Sequence, residues 1–124
     1  MSATPEQVII VGASNKEDRY SYKAFKMLKE YGHNPIPISP RLSEIEGIKT
    51  YSSLSEAPSE IDTVTMYVGA KISDGMAEDL IKLKPKRIIF NPGSENPALA
   101  SKLKENNIAV IEACTLVMLR TGQF

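Results

Sequence analysis

The chain predicts an α/β fold: a Rossmann-like, doubly wound and mainly parallel sheet of five or six strands, with helices on both faces. Three observations carry this. Short apolar runs rich in β-branched residues alternate with apolar residues at helical spacing along nearly the whole chain. Several strand-like runs, such as VIIV, are continuous rather than alternating, as in strands buried on both faces. Strand–helix alternation favours a parallel sheet covered on both sides, and right-handed crossovers leave the doubly wound topology.

The elements follow in order. Val8–Val11 reads as a buried strand. From Tyr20 to Tyr31 the apolar residues Ala24, Phe25, Met27, Leu28 and Tyr31 share one helical face, and Gly32 is a natural stop. Asn34–Ser39 is an apolar run with two prolines, which predicts a short or irregular strand because proline removes a ladder donor. Gly47–Leu54 can supply a further short strand, with a turn at Ala57–Glu60. Asp62–Val68 is a strand by its β-branched and aromatic content. Ile72, Met76, Leu80 and Leu83 predict a helix that ends at Lys84-Pro85. Arg87–Phe90 is a strand, Asn96 an N-cap and Pro97 the first residue of a helix reaching about Asn106. Ile108–Ile111 is the last strand, and a turn of helix is expected around Leu116–Leu119.

Composition bounds the function. The 124 residues predict one domain, with residues 1–7 as a polar lead. Fifteen Lys and Arg balance fifteen Asp and Glu, so no positive excess points to nucleic acid or an anionic membrane surface. No apolar run approaches a membrane span, and no signal segment opens the chain. One cysteine excludes an internal disulfide and suits a reducing compartment, so the expected location is the cytoplasm.

In an open α/β sheet, ligands bind beyond the carboxyl ends of the strands. That rule selects residues 12–19, 39–41, 67–70, 91–95 and 112–115. The first loop runs Gly12-Ala13-Ser14-Asn15-Lys16-Glu17, so two glycines of the dinucleotide fingerprint G-x-G-x-x-G are absent. The Walker pattern is absent as well. NAD sites usually place an acid at the end of the second strand, on the ribose hydroxyls. Here Ser39, Pro40 and Arg41 stand there, and a cation suits a ribose phosphate better than a free diol. A ligand with a pyrophosphate at Gly12–Ser14 and a ribose phosphate near Arg41 fits, and both NADP and coenzyme A answer that description.

Each residue also has a bland reading. Gly12 can simply turn the chain, and Lys16, Arg19 and Arg41 can be solvated surface charges. Tyr67 can stack on adenine or pack at a rim. Cys114 and His33 fall at opposite edges of the sheet, so they make no nucleophile–base pair, and Cys114 reads as a buried small hydrophobe beside the crevice. Zinc has too few ligands. No catalytic residue is assigned.

These residues carry a resemblance. VIIVGAS, DRYSYKAFKMLKEYGHNPIPISPR and GIKTYSSLSEAPSEIDTVTMYV are similar to the small bacterial CoA-binding domain proteins, which resemble the nucleotide-binding domain of the succinyl-CoA synthetase alpha subunit. The match runs from about Val8 to Leu116. It implies a Rossmann-like sheet and coenzyme A, or an acyl-CoA, as ligand, with no established reaction for stand-alone members. By position, Gly12, Ala13, Ser14 and Arg19 match the family's phosphate-side loop, and Ser39, Pro40 and Arg41 its asparagine–proline–basic segment. Tyr67, followed by Val68, matches an aromatic position, Pro92 and Gly93 a glycine turn, and Cys114 a frequent cysteine. Two departures stand out. Val68 and Gly69 follow Tyr67 where the family often has an arginine, and the run Phe90-Asn91-Pro92-Gly93 stands where it often has tryptophan and glutamine before the glycine.

The leading reading is a CoA-binding module without catalysis. The alternatives are an NADP-dependent small reductase and the nucleotide-binding subunit of a split acyl-CoA ligase. A reductase of this length lacks a substrate domain and a Tyr–Lys pair. A ligase half would need a phosphorylatable histidine, and His33 stands at the wrong edge. The expected ligand is a small nucleotide. A homo-oligomer or a partner protein is left open.

Overall fold

A computed structural model describes residues 4–124. Strands β1 (Gln7–Val11), β2 (Asn34–Ile38), β5 (Thr63–Met66), β6 (Arg87–Phe90) and β7 (Ala109–Glu112) form one sheet in the order β2-β1-β5-β6-β7. Every pairing in it is parallel. The order reverses between β1 and β5, so the topological switch point lies beyond Val11 and Met66.

Helices α1 (Tyr20–Glu30) and α5 (Thr115–Arg120) pack on one face, where Phe25, Leu28 and Leu119 bury against Val8 and Ile10. On the other face lie α3 (Ala77–Leu83) and α4 (Pro97–Glu105), whose Leu80, Leu99 and Leu103 bury against Ile9, Val64 and Ile88. The α/β fold with helices on both faces is therefore as the sequence reads.

The two prolines of β2 are tolerated because β2 is the last strand of the parallel sheet. The Ile38 carbonyl points inward and accepts from Ala13 N–H at 3.0 Å. The Pro37 carbonyl and Ser39 N–H point outward, to Tyr51. Alternation therefore turns the nitrogens of Pro35 and Pro37 to the outer side, where the ladder to β1 needs no donor.

Three elements differ from expectation. The strand expected at Gly47–Leu54 is a small antiparallel hairpin, β3 (Glu44–Ile45) with β4 (Ile48–Lys49), followed by a single bridge from Tyr51 to Ile38. Its turn uses positive φ at Glu46 and Gly47, and Leu54 falls in a 3₁₀ turn. The helix expected through Ile72 is interrupted. Ala70–Ser73 forms a short helix, α2, and Asp74–Met76 a 3₁₀ turn around Gly75, which leaves Ile72 exposed and buries Ser73 instead. The last strand is shifted by one residue, and as an edge strand it is only partly buried. Residues 1–3 of the expected polar lead lie outside the described residues.

Candidate functional site

Three adjoining clefts run along the carboxyl edge of the sheet and share walls. The first, about 270 Å³, lies at the β2 end and is lined by Ser14, Lys16, Arg19, Ser39, Arg41 and Leu42 among others. The second, also about 270 Å³, lies over the switch point between Gly12, Arg19, Tyr20, Tyr67, Val68 and Gly93. The third, about 230 Å³, is lined by Tyr20, Tyr67, Asn91, Pro92, Cys114 and Leu116. Gly12, Ser14 and Arg19 are common to the first two, and Tyr20, Tyr67 and Pro92 to the last two.

Gly12 is required at the switch point for internal reasons. Its φ is +85°, a region that L side chains rarely adopt. A Cβ there would stand 2.8 Å from Val68 Cγ1 and 3.0 Å from the Tyr67 carbonyl oxygen. The glycine therefore lets the loop after β5 cross close over the loop after β1. The Ala13 N–H is committed to Ile38, and the Ser14 hydroxyl oxygen accepts from Lys16 N–H at 3.0 Å. The orphan N–H groups at the start of α1 fall at Tyr20 and Ser21, which line the central cleft.

The β2 end is cationic. Lys16, Arg19 and Arg41 line its cleft, no Asp or Glu does, and none of the three forms an ion pair among the described residues. The Ser39 hydroxyl accepts from Arg41 N–H at 3.3 Å and shapes the turn. The hairpin behind this turn is tied to α1. The Tyr22 hydroxyl donates to Glu46, and Lys26 Nζ stands 3.2 Å from the same carboxylate. The Tyr22 hydrogen bond and then Lys26 hold the Glu46 carboxyl below its ordinary range. One carboxylate, Asp18, lines the central cleft.

The β6–β7 end is apolar. Asn91 is buried beneath it, and its side chain is fully committed. Its Nδ2 donates to Thr65 Oγ1 at 2.6 Å and to the Met66 carbonyl at 2.9 Å, while Oδ1 accepts from Thr115 N–H at 2.8 Å. Thr65 and Thr115 hydroxyls bond each other at 2.8 Å. The Tyr67 hydroxyl is buried beside this network, and among the described residues no partner meets the full hydrogen-bond geometry. Burial pushes its pKa up to about 12, against the opposing influence of the nearby Thr115 and Thr65 hydroxyls.

The structure brings the residues singled out for binding to this edge, although Pro40 lines none of the three clefts. Ser39, Arg41, Gly12, Ala13, Ser14 and Arg19 meet in the β2-end cleft. Val68, Gly93 and Pro92 line the central one, and Cys114 the third. Two expectations need correction. Tyr67 stands on the Cys114 side of Gly12 and does not line the Arg41 cleft, so it is misplaced for an adenine held beside Arg41. Cys114 lines a cleft beside the crevice as expected, but it is only partly buried rather than buried. Sequence reasoning missed the Asn91–Thr65–Thr115 network and the lining roles of Tyr20 and Leu116. The one signal available was an asparagine between an apolar strand and Pro-Gly.

A parallel sheet in this order, with a long groove over its switch point, defines an α/β domain of the Rossmann-like class. The chain belongs to the CoA binding domain family, whose pattern it matches over residues 6–120. It is 29% identical over 106 residues to the uncharacterized protein YneT of Bacillus subtilis, covering 86% of this chain and 78% of that one. It is 33% identical over 125 residues to the ADP-forming acetate–CoA ligase of Methanocaldococcus jannaschii, covering 94% of this chain but 18% of the ligase. A crystal structure of an uncharacterized protein superposes with a TM-score of 0.93 at 37% identity, covering 98% of this chain and 100% of that one.

Proposed function

We propose that the chain binds coenzyme A, or an acyl-CoA, lengthwise in the groove and serves as a non-catalytic binding or regulatory module. The observation that carries this is the groove's polarity: three unpaired cations at the β2 end and an apolar cleft at the other. Coenzyme A has the matching polarity, a ribose phosphate and pyrophosphate at one end and a pantetheine thiol at the other. Arg41 and Lys16 would face the ribose phosphate. Arg19 and the first N–H groups of α1 would face the pyrophosphate. Pro92, Gly93 and Tyr67 would line the pantetheine. An NAD diol would meet Arg41 where it needs an acid.

The family supports CoA in general, and the ligand and the absence of catalysis are the proposal's own content. Another relative is named as the alpha subunit of an ADP-forming acetate–CoA ligase, of which the matched region covers 15%, so a partner polypeptide is a coherent setting for this module. A reducing cytoplasm suits both the ligand and the single cysteine.

The test is thermal unfolding with CoA, NAD, NADP and ADP at equal concentrations. A ligand at about a hundredfold excess over Kd stabilises by about 2.7 kcal/mol. CoA raises the melting temperature and NAD leaves it unchanged. A shift from NAD or NADP with none from CoA refutes the reading.

A further inference from the structure

The two edges of the sheet are not alike. Along β2 the outer side is closed: Pro35 and Pro37 turn their nitrogens there, and Tyr51 takes up the Pro37 carbonyl and the Ser39 N–H. Proline and a covering segment are two of the ways in which an edge is shut to other strands. Among the described residues β7 has neither. Its sequence Ala109-Val110-Ile111-Glu112 holds no proline, and it pairs with β6 alone. The Ala113 N–H donates to the Phe90 carbonyl at 3.1 Å, so alternation turns Ala109 and Ile111 to β6. The N–H and C=O groups of Val110 and Glu112 then face outward, where they meet no partner among the described residues. The side chains are open as well. Ala109 and Glu112 are exposed and Val110 and Ile111 half-buried, whereas β5 is buried throughout.

We propose that β7 pairs with β7 of a second copy of this chain, antiparallel across a two-fold axis, and so joins the two sheets into one. The inference is independent of the ligand. With Ile111 opposite the partner's Ile111, Val110 of each copy stands opposite the partner's Glu112, and each such pair exchanges both of its hydrogen bonds. Every outward N–H and C=O group of the two strands is then paired. The side chains agree with this register. Ala109 and Ile111 lie on the face that opens into a cleft of about 470 Å³ with Thr63 and Arg87. On that face Ile111 meets the partner's Ile111, and Ala109 meets the partner's Ala113, small against small. No two like charges stand opposite each other. On the other face Val110 packs into the core beneath α4, and Glu112 shares that face. Antiparallel pairing carries Glu112 to the amino end of the partner strand, beside the last turn of α4 with its Lys102 and Lys104. The contact is isologous and closes on itself. It uses the open edge of each copy and leaves the proline-blunted β2 at both outer ends, where no further strand can add.

The test is sedimentation velocity over a concentration series on the wild type, Glu112→Pro, Ile111→Lys and Ile111→Glu. The wild type sediments at twice the chain mass. Glu112→Pro removes an outward donor that takes no part in the ladder to β6, as the prolines of β2 do at the other edge. One hydrogen bond is lost from each copy, so the dimer dissociation constant rises by roughly tenfold or more. Ile111→Lys and Ile111→Glu each set two like charges face to face across the axis, and each sediments as a monomer. An equimolar mixture of the two sediments as a dimer again. That rescue separates lost pairing from lost folding, because a misfolded variant is not restored by its complement. A wild type that is monomeric throughout the series, an unchanged dissociation constant in Glu112→Pro, a dimeric Ile111→Lys protein, or a mixture that stays monomeric overturns the inference.

Discussion

The side-chain oxygen of Asn91 accepts the backbone N–H of Thr115 at 2.8 Å, so the end of β6 caps the first residue of α5 from a distance of 24 positions in sequence. First-turn N–H groups have no helical acceptor, and no side chain of the neighbouring Cys114 supplies one. The same asparagine holds Thr65 at the end of β5. One buried amide thus fixes the floor of the apolar cleft across three elements.

Asn91→Ala should therefore cost far more than a loop substitution. It strands the Thr115 N–H and the Met66 carbonyl, at ~1–3 kcal/mol for each buried group left unpaired. We expect a loss of ~3 kcal/mol and a fall in melting temperature on the order of 10 °C by calorimetry. A change within ~2 °C would show that the network does not hold the fold.

Gly12 and Gly93 both have positive φ, yet only Gly12 is crowded. Gly93→Ala should lose ~1–2 kcal/mol, the ordinary penalty for a side chain in the left-handed region. Gly12→Ala adds the clash with Val68 and the Tyr67 carbonyl, for a total of ~3 kcal/mol or more. Urea midpoints measure both. Equal losses would mean that the loop after β5 yields at no cost.

The Asp62 carboxylate accepts from Gln7 N–H at 2.8 Å and pairs with Lys86 at 3.0 Å. The Gln7 N–H first, and then Lys86, hold its carboxyl below the ordinary aspartate range. A depressed folded-state pKa gives stability that is present above the unfolded value of ~3.9 and is lost as pH falls through the folded value. The wild type should therefore exceed Asp62→Asn in stability near pH 7, and the gap should narrow below about pH 4. Denaturant curves at both pH values decide it. A gap that is constant with pH contradicts the assignment.

Arg41→Ala separates the ribose phosphate from the rest of the ligand. A charge-assisted hydrogen bond contributes ~1.5–3 kcal/mol, so CoA affinity should fall by tenfold or more, while dephospho-CoA affinity changes little. Equal losses for both ligands in titration calorimetry would put Arg41 elsewhere in the complex.

Much of this arrangement is legible from local pattern. VIIV, RIIF and the Asn96-Pro97 helix start announce themselves because burial on two faces and capping chemistry leave compositional marks. The position of Arg41 follows from strand order alone. The Glu44–Lys49 hairpin was not legible, since its strands have two residues each and its turn depends on Glu46 in the left-handed region. Gly12 was legible as a turn, but its reason was not, because the atoms that crowd it belong to Tyr67 and Val68, more than fifty residues away. The role of Asn91 was hidden for the same reason. Its partners, Thr65 and Thr115, are remote in sequence and are brought to it only by the parallel pairing of β5 with β6.

The most direct measurement of the central claim is a crystal structure of the chain with coenzyme A. The account places the ribose phosphate within hydrogen-bonding distance of the Arg41 guanidinium, the pyrophosphate beside Arg19 and the start of α1, and the thiol in the cleft between Tyr67 and Cys114. Coenzyme A bound in the reverse direction, or outside the carboxyl-edge groove, would contradict it.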